Sequence, residues 1–300
     1  MRPSARAEAR FPVLGGALPV VAVVAAVIST QAGAAFAKGL FHLTGPVGMT
    51  SLRLSLAALI LLAVFRPALS RLGSARWSAA LMYGAALCAM NLTYYLAIAR
   101  LPIGLVIAIA FLGPLCVAAV SSRRPQDLAW VGLAAAGITL LAPWRDLGAL
   151  DLAGVGLALL SGAAWAAYVL AGRRMGQAFE GGQGVAVGML VGAVLALPFA
   201  LANGLFSTLT PGVLLAGLGV ALLSSALPYS LEMLGLRALP ARTFSILLSL
   251  EPAIGVLTGW LLLHEVLSPL QLVAVLCIMA ASIGATVGSR NEARPKALPA

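Results

Sequence analysis

Three charged side chains stand inside long apolar runs of this chain: Arg53 in TSLRLSLAALIL, Glu232 in ALPYSLEMLGL and Glu251 in LSLEPAIGVL. A charge at the centre of a membrane helix costs about 2.5–3.5 kcal/mol on insertion scales, so each one needs a partner or a use. Apolar surroundings favour the neutral form of a carboxyl, and a nearby cation favours the ionised form. A glutamate that alternates between two such environments can load and release a proton, and Glu251 is the candidate. A guanidinium can anchor a carboxylate; Arg53, seven residues into its run, lies near Glu251 in depth. The bland alternative is a buried structural ion pair between the two. Glu232 stands near the end of its run, close to Arg237, where it could pair or reach the interface.

Uncharged polar groups form a second tier. Gln31 lies in the first apolar run, Asn91, Tyr94 and Tyr95 in the third, Trp165 and Tyr168 one turn apart in the sixth, and Tyr229 behind Pro228 in the eighth. Such groups often only hydrogen-bond between helices, but together they outline a polar pathway. Other chemistries lack their residues. His42 and His264 are too far apart to build a metal site. Cys88, Cys116 and Cys277 each sit alone in an apolar run and read as packing residues. No HExxH, GxSxG or phosphate-loop pattern is present, so neither an enzyme nor an ATP-driven pump is indicated, and no cofactor is implied.

The elements that must position these residues follow from composition. Of the 300 residues 61% are hydrophobic and 9% charged, with mean hydropathy +1.03, whereas a soluble domain carries roughly 25% charged residues. That profile is of a polytopic integral membrane protein. A bilayer core takes about 20 apolar helical residues. Ten stretches qualify: 15–37, 46–65, 78–99, 102–120, 128–143, 151–171, 185–203, 212–236, 243–263 and 269–288, the fifth being the shortest. They are continuously apolar, not alternating, which predicts helices and not barrel strands. The basic start and AAFAK imitate a signal peptide, but the apolar run exceeds the usual 7–15 residues or so, so it reads as a retained first helix.

Orientation follows from lysine and arginine. With the N-terminus inside, fifteen of the nineteen basic residues fall in cytoplasmic segments and only Lys38, Arg100 and Arg145 in outside loops. That is a strong positive-inside signal; it accounts for the +10 net charge without nucleic acid. His42 reads as an outside-loop residue. Both termini are expected in the cytoplasm, with 289–300 as a tail. Residues 15–143 and 151–288 form two five-helix halves. Leu101-Pro102 and Leu239-Pro240 precede equivalent runs, and Pro114 follows Pro102 by twelve residues as Pro252 follows Pro240. Five is odd, so the second half must be inverted. Interrupted helices at matched positions of inverted repeats point to a transport site near the midplane; Gly113-Pro114 and Glu251-Pro252 are such a pair, and Pro228 marks a further break. Gly184, Gly188 and Gly192 predict a close-packed face inside the bundle rather than a dimer seam.

The motifs STQAGAAFAKGLF, MNLTYYLAI, SSRRPQDLAWV, AAWAAYVLAG, ALPYSLEMLGLRALPARTF and LSLEPAIGVLTG carry a family resemblance over about Ser29 to Ser289. The chain resembles the drug/metabolite transporter superfamily with two EamA repeats, and within it the threonine/homoserine exporters of the bacterial inner membrane. The resemblance implies an all-α membrane fold of ten helices in two inverted repeats. It also implies export of small amino acids by proton antiport and alternating access. Its partners would be an amino-acid substrate, protons and the lipid bilayer, the oligomeric state being open between a monomer and a weak homodimer. Arg53, Asn91, Tyr94, Tyr168, Glu232 and Glu251 match motif positions. One departure is Ala110, where the subgroup often carries an acid before Gly-Pro. Broad-specificity efflux and a non-transporting membrane scaffold are the competing readings.

Overall fold

The computed structural model describes residues 18–120, 129–130, 132–134, 136–137, 140, 151–239, 244 and 247–288. Most of the fifth expected span lies outside them. The described chain is all helix: α1 (Leu18–Gly39), α2 (Phe41–Phe65), α3 (Ser74–Ile98), α4 (Ile103–Ala110), α5 (Leu112–Val120), α6 (Leu152–Ala178), α7 (Gln183–Ala202), α8 (Pro211–Ala221), α9 (Leu227–Ala238), α10 (Glu251–Leu263) and α11 (Pro269–Gly288). Among the described residues six stretches are long and apolar enough to cross a bilayer: α1, α2, α3, α6, α7 and the continuous Pro211–Glu232. In hydrocarbon every backbone group must be satisfied within its own segment, which helices achieve. Large apolar side chains such as Leu59, Val64, Leu81, Trp260 and Leu276 point outward, as a lipid-facing surface requires. The protein is a multi-pass helical membrane bundle.

The breaks are local and have identifiable causes. α2 bends at Gly45, whose φ of 66° and ψ of 171° suit glycine, and Pro46 follows, so the straight part begins where the sequence reading placed its span. His42 is therefore in the first helical turn of α2, not in a loop as expected: the carbonyl of Gly39 lies 3.0 Å from its Nδ1. The interruption expected at Gly113-Pro114 falls slightly earlier, at Phe111, between α4 and α5. The break expected at Pro228 takes another form. A π-helical turn, Leu222–Ala226, joins α8 to α9 without interrupting the helix, and Pro228, which cannot donate to the preceding turn, follows directly in the first turn of α9. Ser29 on α1 donates its hydroxyl to the carbonyl of Leu223 in that turn (2.7 Å).

Packing joins early helices to late ones. α3 lies along α6, and α1 along α9; α2 packs on α7; α4 packs on α10, while α1 touches α10 and α4 touches α6. Small residues set the closest approaches. A Cβ at Gly113 would fall on the carbonyl oxygen of Gly162 in α6, so α5 and α6 meet backbone to backbone. Gly104 of α4 and Gly255 of α10 do the same. Gly188 seats the ring of Tyr83 and Gly192 seats Leu87, so the glycine face of α7 is consumed inside the bundle, as expected. One buried core, with Leu61, Leu87, Met175 and Met189, joins α2, α3, α6 and α7. A second, with Met49, Tyr95, Ile98, Leu105 and Ile278, surrounds α4.

Candidate functional site

Between these cores lies a cavity of about 690 Å³, a volume typical of small-molecule pockets. Its middle wall carries Gln31, Arg53, Asn91, Tyr94 and Glu251; a second polar group, Tyr83, Tyr168, Tyr229 and Glu232, lies along it, and Arg173 and Gly181 mark one end. Helices from both ends of the sequence therefore build it.

Arg53 is 4% exposed and held from α3. Asn91 and Tyr95 are four residues apart and so share one face of that helix. Nη2 of Arg53 donates to Asn91 Oδ1, and Nη1 to the Tyr95 hydroxyl at 3.3 Å. Asn91 Nδ2 donates in turn to the carbonyl of Leu87 (2.8 Å), which turns the amide oxygen toward the guanidinium. The Tyr95 ring lies 5.0 Å from the guanidinium carbon, so its π face stabilises the cation. Tyr95 thus supports Arg53 from behind and does not line the cavity. The Nε of Arg53 has no hydrogen-bond partner among the described residues.

Glu251 is the first residue of α10 and 7% exposed, with Pro252 next in the opening turn. The turn at Ser249 and Leu250 delivers the carboxylate to the cavity wall at a helix N-terminus, where the backbone dipole favours an anion. Among the described residues Arg53 and Glu251 form no ion pair, nor does Glu232, which faces the cavity instead of the lipid interface. The structural ion pair weighed from sequence is absent there. The Tyr94 hydroxyl donates to Gln31 Oε1 at 3.5 Å. Tyr83 donates to the Tyr168 hydroxyl (2.7 Å), with ring centroids 4.6 Å apart. Trp165 stands edge-on to Phe111 at 5.3 Å. Ala110 forms part of the wall, its methyl leaving space.

Nine of the ten expected pathway residues thus line one cavity: Gln31, Arg53, Asn91, Tyr94, Trp165, Tyr168, Tyr229, Glu232 and Glu251. Pro228 lines it too. Gly113, Pro114 and Pro252 shape the helices around it without lining it. Sequence reasoning missed Tyr83, Ser161 and Ser224 on the wall. Tyr83 had a signal, since it precedes Gly84 on the α3 face that meets the glycines of α7. It also missed Glu265, which bonds Lys38 across the bundle at 2.6 Å; both stand at the ends of apolar runs, where charges are unremarkable.

A helical multi-pass bundle with a largely apolar cavity that carries a set of polar and charged side chains has the form of a secondary transporter, and helical bundles rather than barrels populate the bacterial inner membrane. Residues 152–287 match the EamA-like transporter family. The chain is 45% identical over 282 residues to the threonine/homoserine exporter RhtA of Escherichia coli K12, covering 94% of this chain and 95% of that one. It is 44% identical over 280 residues to the protein of the same name from Salmonella typhimurium LT2, covering 93% and 95%. The uncharacterized transporter YwfM of Bacillus subtilis is 29% identical over 176 residues, 58% of this chain and 60% of its own. A crystal structure at 20% identity overlays 90% of this chain and 99% of its own with a TM-score of 0.57, a likeness of fold alone. The chain belongs to the EamA-like transporters of the drug/metabolite transporter superfamily. It is a multi-pass bacterial inner-membrane transporter and not an enzyme.

Proposed function

We propose that the protein exports small amino acids of the threonine and homoserine type by proton antiport, through alternating access. The observation that carries the reading is one cavity lined by a cation and an acid that do not neutralise each other, Arg53 and Glu251. A zwitterion supplies both missing charges. Its carboxylate goes to Arg53, which Asn91 and Tyr95 hold ready, as a charge-assisted contact. Its ammonium goes to Glu251, with the Tyr94 ring available for a cation–π contact. Its hydroxyl meets Gln31 and Tyr94, which already share a hydrogen bond. Glu251 accepts either a proton or the ammonium, not both, and that exclusion turns the site into an exchanger. With Ala110 on the wall, Glu232 and Glu251 are the only acids among the described residues that line the cavity; Glu232 is the second proton station.

The ten-helix plan, with repeats 15–143 and 151–288 inverted and both termini cytoplasmic, belongs to the same reading. Exchanging the halves turns the α1–α9 contact into α6–α3, and α1–α10 into α6–α4, while α2–α7 and α4–α10 map onto themselves. A pseudo-two-fold axis in the membrane plane has that effect. The family match over 152–287 falls within the proposed second repeat. The relatives named threonine/homoserine exporters support the substrate class. Cells preloaded with labelled threonine or homoserine test it: those making the protein lose label faster than those without it. Equal loss of both labels in the two populations refutes the substrate assignment.

A further inference from the structure

At the end of the bundle opposite Arg173, one cluster ties α1, α4 and the segment after α10. Lys38, in the last turn of α1, donates from Nζ to Glu265 Oε1 at 2.6 Å and to the carbonyl of Leu101 at 2.8 Å. Glu265 Oε2 accepts from the backbone N–H of Ile103, the first residue of α4, at 2.9 Å. The backbone N–H of Glu265 donates to Gly259 in α10 at 3.0 Å. Both side chains are mostly buried, 21% and 14% exposed, so water screens the pair less than it would a surface one.

The cluster sits just beyond the cavity. Ala34, one turn before Lys38, and Ile107, one turn after Ile103, both line the cavity, while Lys38, Leu101, Ile103 and Glu265 do not. Between cluster and cavity, α4 and α10 touch at Gly104 and Gly255. The cavity therefore stops one helical turn short of this end, and reaches Arg173, Gly176 and Gly181 at the other. With the arginine-rich end cytoplasmic, the closed end faces outward. The second ion pair of the described residues, Arg100 with Asp151 at 2.9 Å, lies at the same end but is more exposed, 49% and 34%.

We propose that Lys38 and Glu265 are the latch of the extracellular gate. Resting on the transport reading for its orientation, the proposal adds two residues to the transport machinery that touch no substrate. The pair and its two backbone partners hold α1, α4 and the α10 end together, and release to the outside requires their separation. A directional ion pair suits a gate because it re-forms in one register and is lost once water enters. A purely apolar seal has no such geometry.

The test uses the full chain in cells, with Ala34→Cys probed by a membrane-impermeant maleimide added outside and labelling read against the chain without that cysteine. Lys38→Met and Glu265→Gln each raise labelling about tenfold, the effect of losing one bond to a charged group. Lys38→Arg, which keeps charge and donors, leaves it at the parental level. If Lys38→Met fails to reach the membrane, Glu265→Gln decides, because it keeps an acceptor for Ile103. Parental labelling in Glu265→Gln at normal membrane levels overturns the latch, as does labelling of Ala34→Cys from the cytoplasmic side only in every variant. The readout needs no substrate. A chain that shows the labelling pattern yet exports nothing refutes the transport reading and leaves the latch standing.

Discussion

The charges at the two levels of this bundle are handled in opposite ways. At the closed end, among the described residues, each is paired: Lys38 with Glu265 and Arg100 with Asp151. In the cavity Arg53 and Glu251 are buried deeper, at 4% and 7% exposure, Glu232 is half-buried, and none of the three is in an ion pair among the described residues. If charge were retained only for architecture, the pairing should be tightest where desolvation is greatest, since an unpaired buried charge is costly. The reverse holds. Charges at the closed end fasten helices together, and those in the cavity stand without ion partners, as the proposed exchange of substrate and protons requires. Arg53 shows how this is sustained: Asn91 and Tyr95 fix its position with neutral groups and leave its charge uncompensated.

The contrast can be broken from either side. Removing the cavity cation has the largest effect. Arg53→Met is expected to weaken threonine binding about 10- to 100-fold, the loss of one or two charge-assisted bonds, measured as the concentration dependence of efflux. Arg53→Lys loses the fork that reaches Asn91 and Tyr95 together and falls between the two. At the closed end the effect is smaller and falls on stability. A double-mutant cycle of Lys38→Met and Glu265→Gln, read by thermal unfolding in detergent, is expected to give a coupling of about 1 kcal/mol, at or above the top of the range for exposed pairs because both side chains are mostly buried. A coupling of zero would remove the architectural half of the contrast.

The smallest effect belongs to Asp151. It caps α6, accepting from the Gly154 N–H at 3.0 Å, and that bond, followed by the one from Arg100, holds its carboxyl below the ordinary carboxylate value. A lowered value means that the stabilisation is present above the ordinary value and is lost as pH falls through the lowered one. Asp151→Asn keeps a capping oxygen and loses the charge. Its melting temperature should lie slightly below the parent's near neutral pH and converge with it in acid. Asp151→Ala should fall further at neutral pH.

Much of this was legible in the sequence, for physical reasons that also mark its limits. Continuous apolar runs located the helices because hydrocarbon permits little else, and buried charges and amides located the cavity because burial makes each of them costly. Asn91 and Tyr95 could be placed on one face by their spacing. Their grip on Arg53 could not, because the rotation of α2 against α3 is set by packing. The same limit left open whether Arg53 and Glu251 touch. Proline was the visible punctuation for the eighth span, but the π-helical turn at Leu222–Ala226 has no sequence signature beyond its serines. Gly113 reads as a hinge, and the structure adds that its missing Cβ admits the backbone of Gly162. Lys38 and Glu265 are 227 residues apart, and only the fold could join them.

The central claim is that the unpaired carboxylate of Glu251 is the site shared by proton and substrate. It is tested most directly by proteoliposomes loaded with labelled threonine, with and without a proton gradient, comparing the parent with Glu251→Gln. Proton antiport through Glu251 predicts gradient-driven flux in the parent that disappears in the variant at equal protein incorporation. Flux in Glu251→Gln that still accelerates with the gradient as the parent's does would contradict it.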